Sequence, residues 1–412
     1  HHVGFDLIYE DGKLVQVKKD SGEFFDLSYN EDGMLETVTD HTGRVCRYLF
    51  EEKLLKTAVL PDGSSYEYRY NENGKLCHVT NPRSVDAVET EYDDLYRVTY
   101  QKFADGTTNI FEYRDAEMAV VMTERNGSQS IHYHNEKYQN IRNVYADGEE
   151  SFVYNERGQK IMITDKLGNV TRVQYDDRGN ITGIITADKN KTMLTYNQQN
   201  KLLTLSVNGK TKVRNQYGKS GDLLVSEDGI GRKTSYIYDG SGRITQIESP
   251  DGSLLHAAYD ERGNVINITD ENDRIWRFFY DERNQMICQE NPLGHRNELA
   301  YDEMGRVLSQ TRPDGNSRHF VYDEWGNLIS QREFDGSIIT AVYNENNKPV
   351  SVVDGAGRET RYDYDSMWNV SRIILPGGAV LQYLYDENNH LSSAFDGLGN
   401  ETSYTYDAMG NV

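Results

Sequence analysis

The chain has 412 residues, a formal charge of -22 and a hydrophobic fraction of only 37%. Such acidity argues against nucleic acid or anionic membranes as partners, because phosphate binding needs clustered lysine and arginine. So few apolar residues argue against one thick core, and no stretch approaches the ~20 apolar residues of a membrane helix. Tyrosine is in excess, at 30 residues against 12 Phe and 3 Trp. Its apolar ring and wet hydroxyl suit partial burial, which predicts a thin wall with water near both faces. The three cysteines, Cys46, Cys77 and Cys288, show neither CxxC spacing nor a pairing plan. His1-His2 reads as the scar of an affinity tag or as native sequence.

In chain order, aromatic residues recur at Tyr9, Tyr29, Phe50, Tyr70, Tyr92 and Tyr113, in steps of 20 to 22 residues. From Tyr133 the step is a constant 21, through Tyr154, Tyr175, Tyr196, Tyr217, Tyr238, Tyr259, Tyr280, Tyr301, Tyr322, Tyr343, Tyr364 and Tyr385 to Tyr406. A fixed period of this length marks a repeat array, in which each unit contacts mainly its neighbours. No linker interrupts the units, so residues 1–412 read as a single repeat domain of about twenty units. The array starts and stops within a repeat, which predicts a fragment of a longer chain.

Each anchor opens a turn. Asp or Asn usually follows it, as at Asn71, Asp176, Asp239, Asp260, Asp302 and Asp323. That side chain can accept a hydrogen bond from the backbone two residues on. Three positions later stands a glycine, as at Gly242, Gly263, Gly305 and Gly326, or an asparagine, as at Asn200, Asn284, Asn347 and Asn389. Glycine and asparagine are the residues most at ease in the left-handed conformation, so the slot is predicted to have positive φ and the exchange to be one of shape alone. A type I turn followed by a left-handed residue is a common hairpin closure. Between Tyr92 and about residue 140 the pattern loosens, with Tyr96, Glu117 and Lys137 in the glycine slot, which reads as drift.

Between turns the chain reads as strands. Aromatics alternate before the anchors, as in Tyr66, Tyr68, Tyr70 and in Tyr362, Tyr364, which places the rings on one face. After the turn an aliphatic pair recurs three apart, as in Ile244 and Ile247 or Val265 and Ile268. Three is the wrong spacing for one face of a regular strand, so a bulge or strong twist must lie between the two. A second turn follows, either Asp-x-x-Gly as at Asp354 to Gly357, or compact as at Pro250-Asp251-Gly252. Two turns per repeat leave two strands of about six residues. The reading is all-β: one long antiparallel sheet that twists and must spiral or close.

Tyr-Asp-x-x-Gly-[Asn/Arg]-[Leu/Val/Ile] at this period resembles the YD repeat of the Rhs family, over essentially the whole chain. That family includes bacterial Rhs and wall-associated polymorphic toxins, insecticidal toxin-complex subunits and animal teneurins. The resemblance implies a spiralling sheet closed into a hollow shell, a β-cocoon, that encapsulates a C-terminal toxin or effector domain of the same longer chain. It also implies a secreted or cell-surface bacterial location, with neighbouring shell or delivery components as further partners. The Asp-Pro motifs associated with self-cleavage in Rhs toxins are absent here, so no protease is inferred.

Paired acids such as Asp176-Asp177 and Asp260-Glu261 recur at one turn position, and an active site is not needed in every repeat. The calcium-loop spacing is not reproduced in register. His132 and His134 flank Tyr133 without the further ligands that zinc takes, and no Gly-x-Ser-x-Gly elbow supports a hydrolase. No catalytic, cofactor or metal residues are therefore assigned. The residues singled out are structural: Tyr238, Asp239, Gly242; Tyr259, Asp260, Gly263; Tyr301, Asp302, Gly305; and Tyr322, Asp323, Gly326. The expected function is a non-catalytic scaffold, and the alternative is a surface adhesion module that recognises carbohydrate or protein.

Overall fold

The computed structural model describes residues 5–19 and 23–412; His1-His2 lies outside them. The fold is all-β and antiparallel, with 39 strands and one short 3-10 turn, at Asp115–Glu117, among the described residues. Among the described residues no helix is long and apolar enough to cross a membrane.

The chain gathers into two compact units. In the unit containing His132–Tyr280 and Gln289–His295, each strand pairs with its chain neighbour. A representative hairpin joins Lys233–Tyr238 to Ile244–Glu248. Tyr236 faces Ile247, Ile237 faces Gln246 and Tyr238 faces Ile244, with a register shift between Ile237 and Tyr238. Thr245 is the extra residue. It lets Ile244 and Ile247, three apart in sequence, meet the two tyrosines of one face, which is what a bulge does.

The other unit contains Phe5–Ile131, Asp281–Cys288 and Arg296–Val412, and its hairpins follow the same rule. Tyr362 faces Ile373 and Tyr364 faces Val370, with the shift between Asp363 and Tyr364. Two early hairpins depart from it. Asp11 with Gly12, and Glu52 with Lys53, put two consecutive residues at positive φ, the geometry of a two-residue type I′ turn. This shorter closure accompanies the 20-residue steps near the start of the chain.

No described side chain is fully buried, and the buried apolar residues are Ala58, Ala119, Val121 and Cys288. The anchor face is half-buried, while the opposite face exposes Ile237, Val321 and Val342. Burial of half a large side chain stabilises by about 1 kcal/mol, roughly half the value for full burial. Stability is therefore spread thinly over many repeats.

The loosened stretch requires a correction. The left-handed residues there are Met118 and Tyr138, not Glu117 and Lys137. The turn runs from Asn135 to Tyr138, whose N–H donates to the Asn135 carbonyl. His134 therefore occupies the anchor position, and Tyr133 lies on the opposite face under the Arg142 guanidinium, 5.4 Å from its centroid. Near Tyr113 the short 3-10 turn supplies the displaced residue, with Met118 closing it in the left-handed conformation.

Candidate functional site

The recurring structure is a fastener at each turn. In the Asp239 turn the Asp239 N–H donates to the Arg243 carbonyl at 2.9 Å, and the Gly242 N–H to the Asp239 carbonyl at 3.1 Å. Gly242 has φ +76. The Asp239 carboxylate accepts the N–H groups of Ser241 and Arg243, both at 2.9 Å, and Arg243 Nε at 2.7 Å. One side chain thus satisfies two backbone donors and a cation. Asp302 does the same with Met304, Arg306 and Arg306 Nε, and Asp323 accepts from Trp325 N, Asn327 N and the neutral amide Asn327 Nδ2. Asp260 accepts from Asn264 N at 2.8 Å and Asn264 Nδ2 at 2.9 Å. The glycines of these turns, Gly263, Gly305 and Gly326, have φ +87, +84 and +85.

The anchor hydroxyls tie each repeat to the one before. Tyr238 donates to the Leu223 carbonyl at 2.9 Å, Tyr259 to Ile244 at 2.7 Å, Tyr301 to Met286 at 2.8 Å and Tyr322 to Val307 at 3.0 Å. Each acceptor is the first strand residue after the preceding turn, and the pattern recurs from Tyr29 to Tyr406, interrupted at Phe50 and at the His134 turn. Burial pushes the Tyr238, Tyr259 and Tyr301 hydroxyls above their ordinary pKa, so they remain protonated donors.

Sequence reasoning assigned no role to the residue after the glycine. Arg243 bonds its own turn aspartate, lies 4.8 Å from the Tyr259 ring centroid and donates to the Asp260 carbonyl at 3.1 Å. Arg306 repeats this with Asp302, Tyr322 and the Asp323 carbonyl. The alternation of Arg and Asn at this position was the available signal, since both bond the turn aspartate and only arginine also reaches the next ring.

Hydrogen bonding sets the charge state of the turns. Partial burial would raise the Asp239 carboxyl, but the backbone N–H and side chain of Arg243 outweigh it and hold the pKa below the usual value. At Asp40 burial is again overcome, by the Thr42 hydroxyl and the Arg44 guanidinium, and the pKa falls to about 2. At neutral pH these acids are charged acceptors within turns.

His132 Nδ1 lies 2.8 Å from Asn143 Oδ1, and the His134 ring stacks on Tyr138 at 5.3 Å. Among the described residues no group of three or more His, Cys, Asp or Glu is placed to hold a metal. Open grooves recur between consecutive turns, lined by Gln139 and Ile141, by Gln159 and Ile161, and by Gln285 and Ile287. They are copies of one surface, produced by the repeat itself.

The family model described as teneurin YD-shell matches residues 9–161, 150–270 and 269–385, and an RHS repeat model matches 385–412. A search of curated proteins finds no match. Among solved structures, TcdB2-TccC3 aligns over 97% of this chain and 29% of its own, with TM-score 0.60 and 12% identity. TcdB2-TccC3 without its hypervariable C-terminal region aligns over 97% and 31%, with TM-score 0.63 and 12% identity. At that identity the likeness is one of fold, and the chain spans less than a third of those structures.

Proposed function

Since the chain belongs to the teneurin YD-shell family, we propose that it is a single-domain length of shell wall, a non-catalytic scaffold that encloses a toxin or effector domain of the same longer chain. The observation that carries this reading is the tyrosine-to-carbonyl bond repeated from Tyr29 to Tyr406. In most repeats it spends the most distinctive side chain on fastening that repeat to its neighbour, the exceptions including Phe50, which lacks the hydroxyl, and the turn where His134 holds the anchor position. Tyr238, Asp239 and Gly242, with their equivalents, are on this reading wall-building residues. The YD-shell assignment and the likeness to TcdB2-TccC3 support a secreted location within a toxin assembly.

Limited proteolysis of the full-length parent chain tests the proposal. A downstream domain that is resistant in the intact protein, and becomes cleavable when several anchors such as Tyr259, Tyr301 and Tyr322 are changed to alanine, is the expected result. Equal cleavage of that domain with and without an intact repeat array would overturn it.

A further inference from the structure

Three contacts join stretches of one unit at a constant separation. Asn284 Nδ2 donates to Glu23 Oε1 at 2.8 Å, Arg83 Nη1 donates to the Asn344 carbonyl at 2.8 Å, and Asn126 Nδ2 donates to the Glu387 carbonyl at 3.2 Å; each pair is 261 residues apart. In every case the partner from the first stretch belongs to a second-type turn or borders one, and the partner from the later stretch belongs to a Tyr-Asp turn. Arg83 also donates through Nη2 to Asn347 Oδ1 and lies 4.9 Å from the Trp325 ring centroid.

The left-handed slot of the later stretch is occupied in order by Asn284, Gly305, Gly326, Asn347, Trp368 and Asn389. All three turns that carry asparagine take part in one of these hydrogen bonds: Asn284 donates through its side chain, and the other two turns accept on the Asn344 and Glu387 carbonyls. Among the described residues, the turns closed by Gly305 and Gly326 receive no such hydrogen bond from the first stretch; Trp325 and Trp368 meet Arg83 and Arg125 through their rings, at 4.9 and 6.0 Å. Asparagine in this slot has side-chain work as well as a shape. Asn347 Oδ1 also accepts from Asn327 Nδ2 at 3.0 Å, one repeat earlier.

We propose that Asn284 and Asn347, in the left-handed slot, supply the side-chain hydrogen bonds by which the two stretches dock, and that Arg83 with Asn347 sets their register. A slip of one repeat would bring Arg83 to the slot of Gly326 or Trp368, neither of which offers a side-chain oxygen. The same slip would bring Glu23 to Gly305, which offers no amide donor. The backbone carbonyls recur in every repeat and cannot discriminate, so register selection falls to the slot side chain.

Asn347→Gly separates docking from shape, because glycine suits positive φ at least as well as asparagine. Hydrogen exchange in the full chain is read at the turn amides of Asn81 and Ser84, which are remote in sequence from the substitution. The expected result is exchange about three- to ten-fold faster there, the scale of a lost hydrogen bond to a charged group at a partly exposed site. Arg83→Ala should do the same, and the double variant should add little to either single change. Asn284→Gly, read at the amide of Lys19, which bonds the Glu23 carbonyl at 2.8 Å, is an independent second case. Unchanged or slower exchange at Asn81 and Ser84 in Asn347→Gly, or fully additive effects with Arg83→Ala, would overturn the proposal.

Discussion

The Tyr259 hydroxyl donates to the Ile244 carbonyl, 2.7 Å away and 15 residues earlier. Ile244 is also the residue that faces Tyr238 beside the bulge. One position therefore closes its own hairpin and receives the anchor of the next.

Tyr259→Phe keeps the ring and removes this bond, and is expected to cost about 0.5–1.5 kcal/mol. Tyr259→Ala also removes a half-buried ring and should cost about 2–3 kcal/mol, below the value for a fully buried aromatic. Because the array unfolds locally, hydrogen exchange of the neighbouring strands is the proper measurement. The converse applies to Phe50, which occupies the anchor slot without a hydroxyl. Phe50→Tyr should slow local exchange, with a gain of about 0.5–1 kcal/mol.

Gly305 has φ +84, and a Cβ there would lie 2.9 Å from the flexible Gln285 amide. Gly305→Ala is expected to lower stability by about 1–2 kcal/mol, mostly from backbone strain. Gly305→Asn should cost less, since asparagine holds this conformation elsewhere in the chain, as at Asn347. Equal losses in thermal unfolding would count against strain as the cause.

Arg243 joins a charge-assisted bond, a ring contact and a bond to the next turn. Arg243→Lys keeps the charge and loses the planar fork. It should destabilise the Tyr238–Tyr259 region by about 1 kcal/mol, and Arg243→Asn, which can still bond Asp239, should behave similarly. Local exchange at the Asp260 turn reads the difference.

The turn aspartates predict acid lability. Asp40, Asp239, Asp260 and Asp302 have pKa values lower in the fold than in the unfolded chain, so the unfolded state binds more protons as pH falls and the fold loses stability. For Asp40 this contribution is complete above about pH 4 and is lost towards about 2, where its folded pKa lies. Circular dichroism between pH 5 and 2 should follow a broad loss of structure. Asp40→Asn should flatten the lower part of that curve, at some cost in stability at neutral pH.

Sequence by itself determined the local structure, because its causes are local. Tyr238, Asp239 and Gly242 specify a turn through bonds within five residues, and the spacing of Ile244 and Ile247 specifies a bulge. Register near Tyr133 was misread because one displaced residue moves a side chain to the other face, and only pairing reveals which face His134 occupies. The reach of Arg243 to Tyr259, and of Tyr259 to Ile244, needed the tertiary structure, since strand pairing decides which repeat lies alongside. Asn347 is the clearest case. Read alone, it substitutes for glycine at positive φ. Only the tertiary structure brings Arg83, 264 residues away, to its amide oxygen, beside the local donor Asn327, and a 21-residue period contains no information about which repeats meet at that distance.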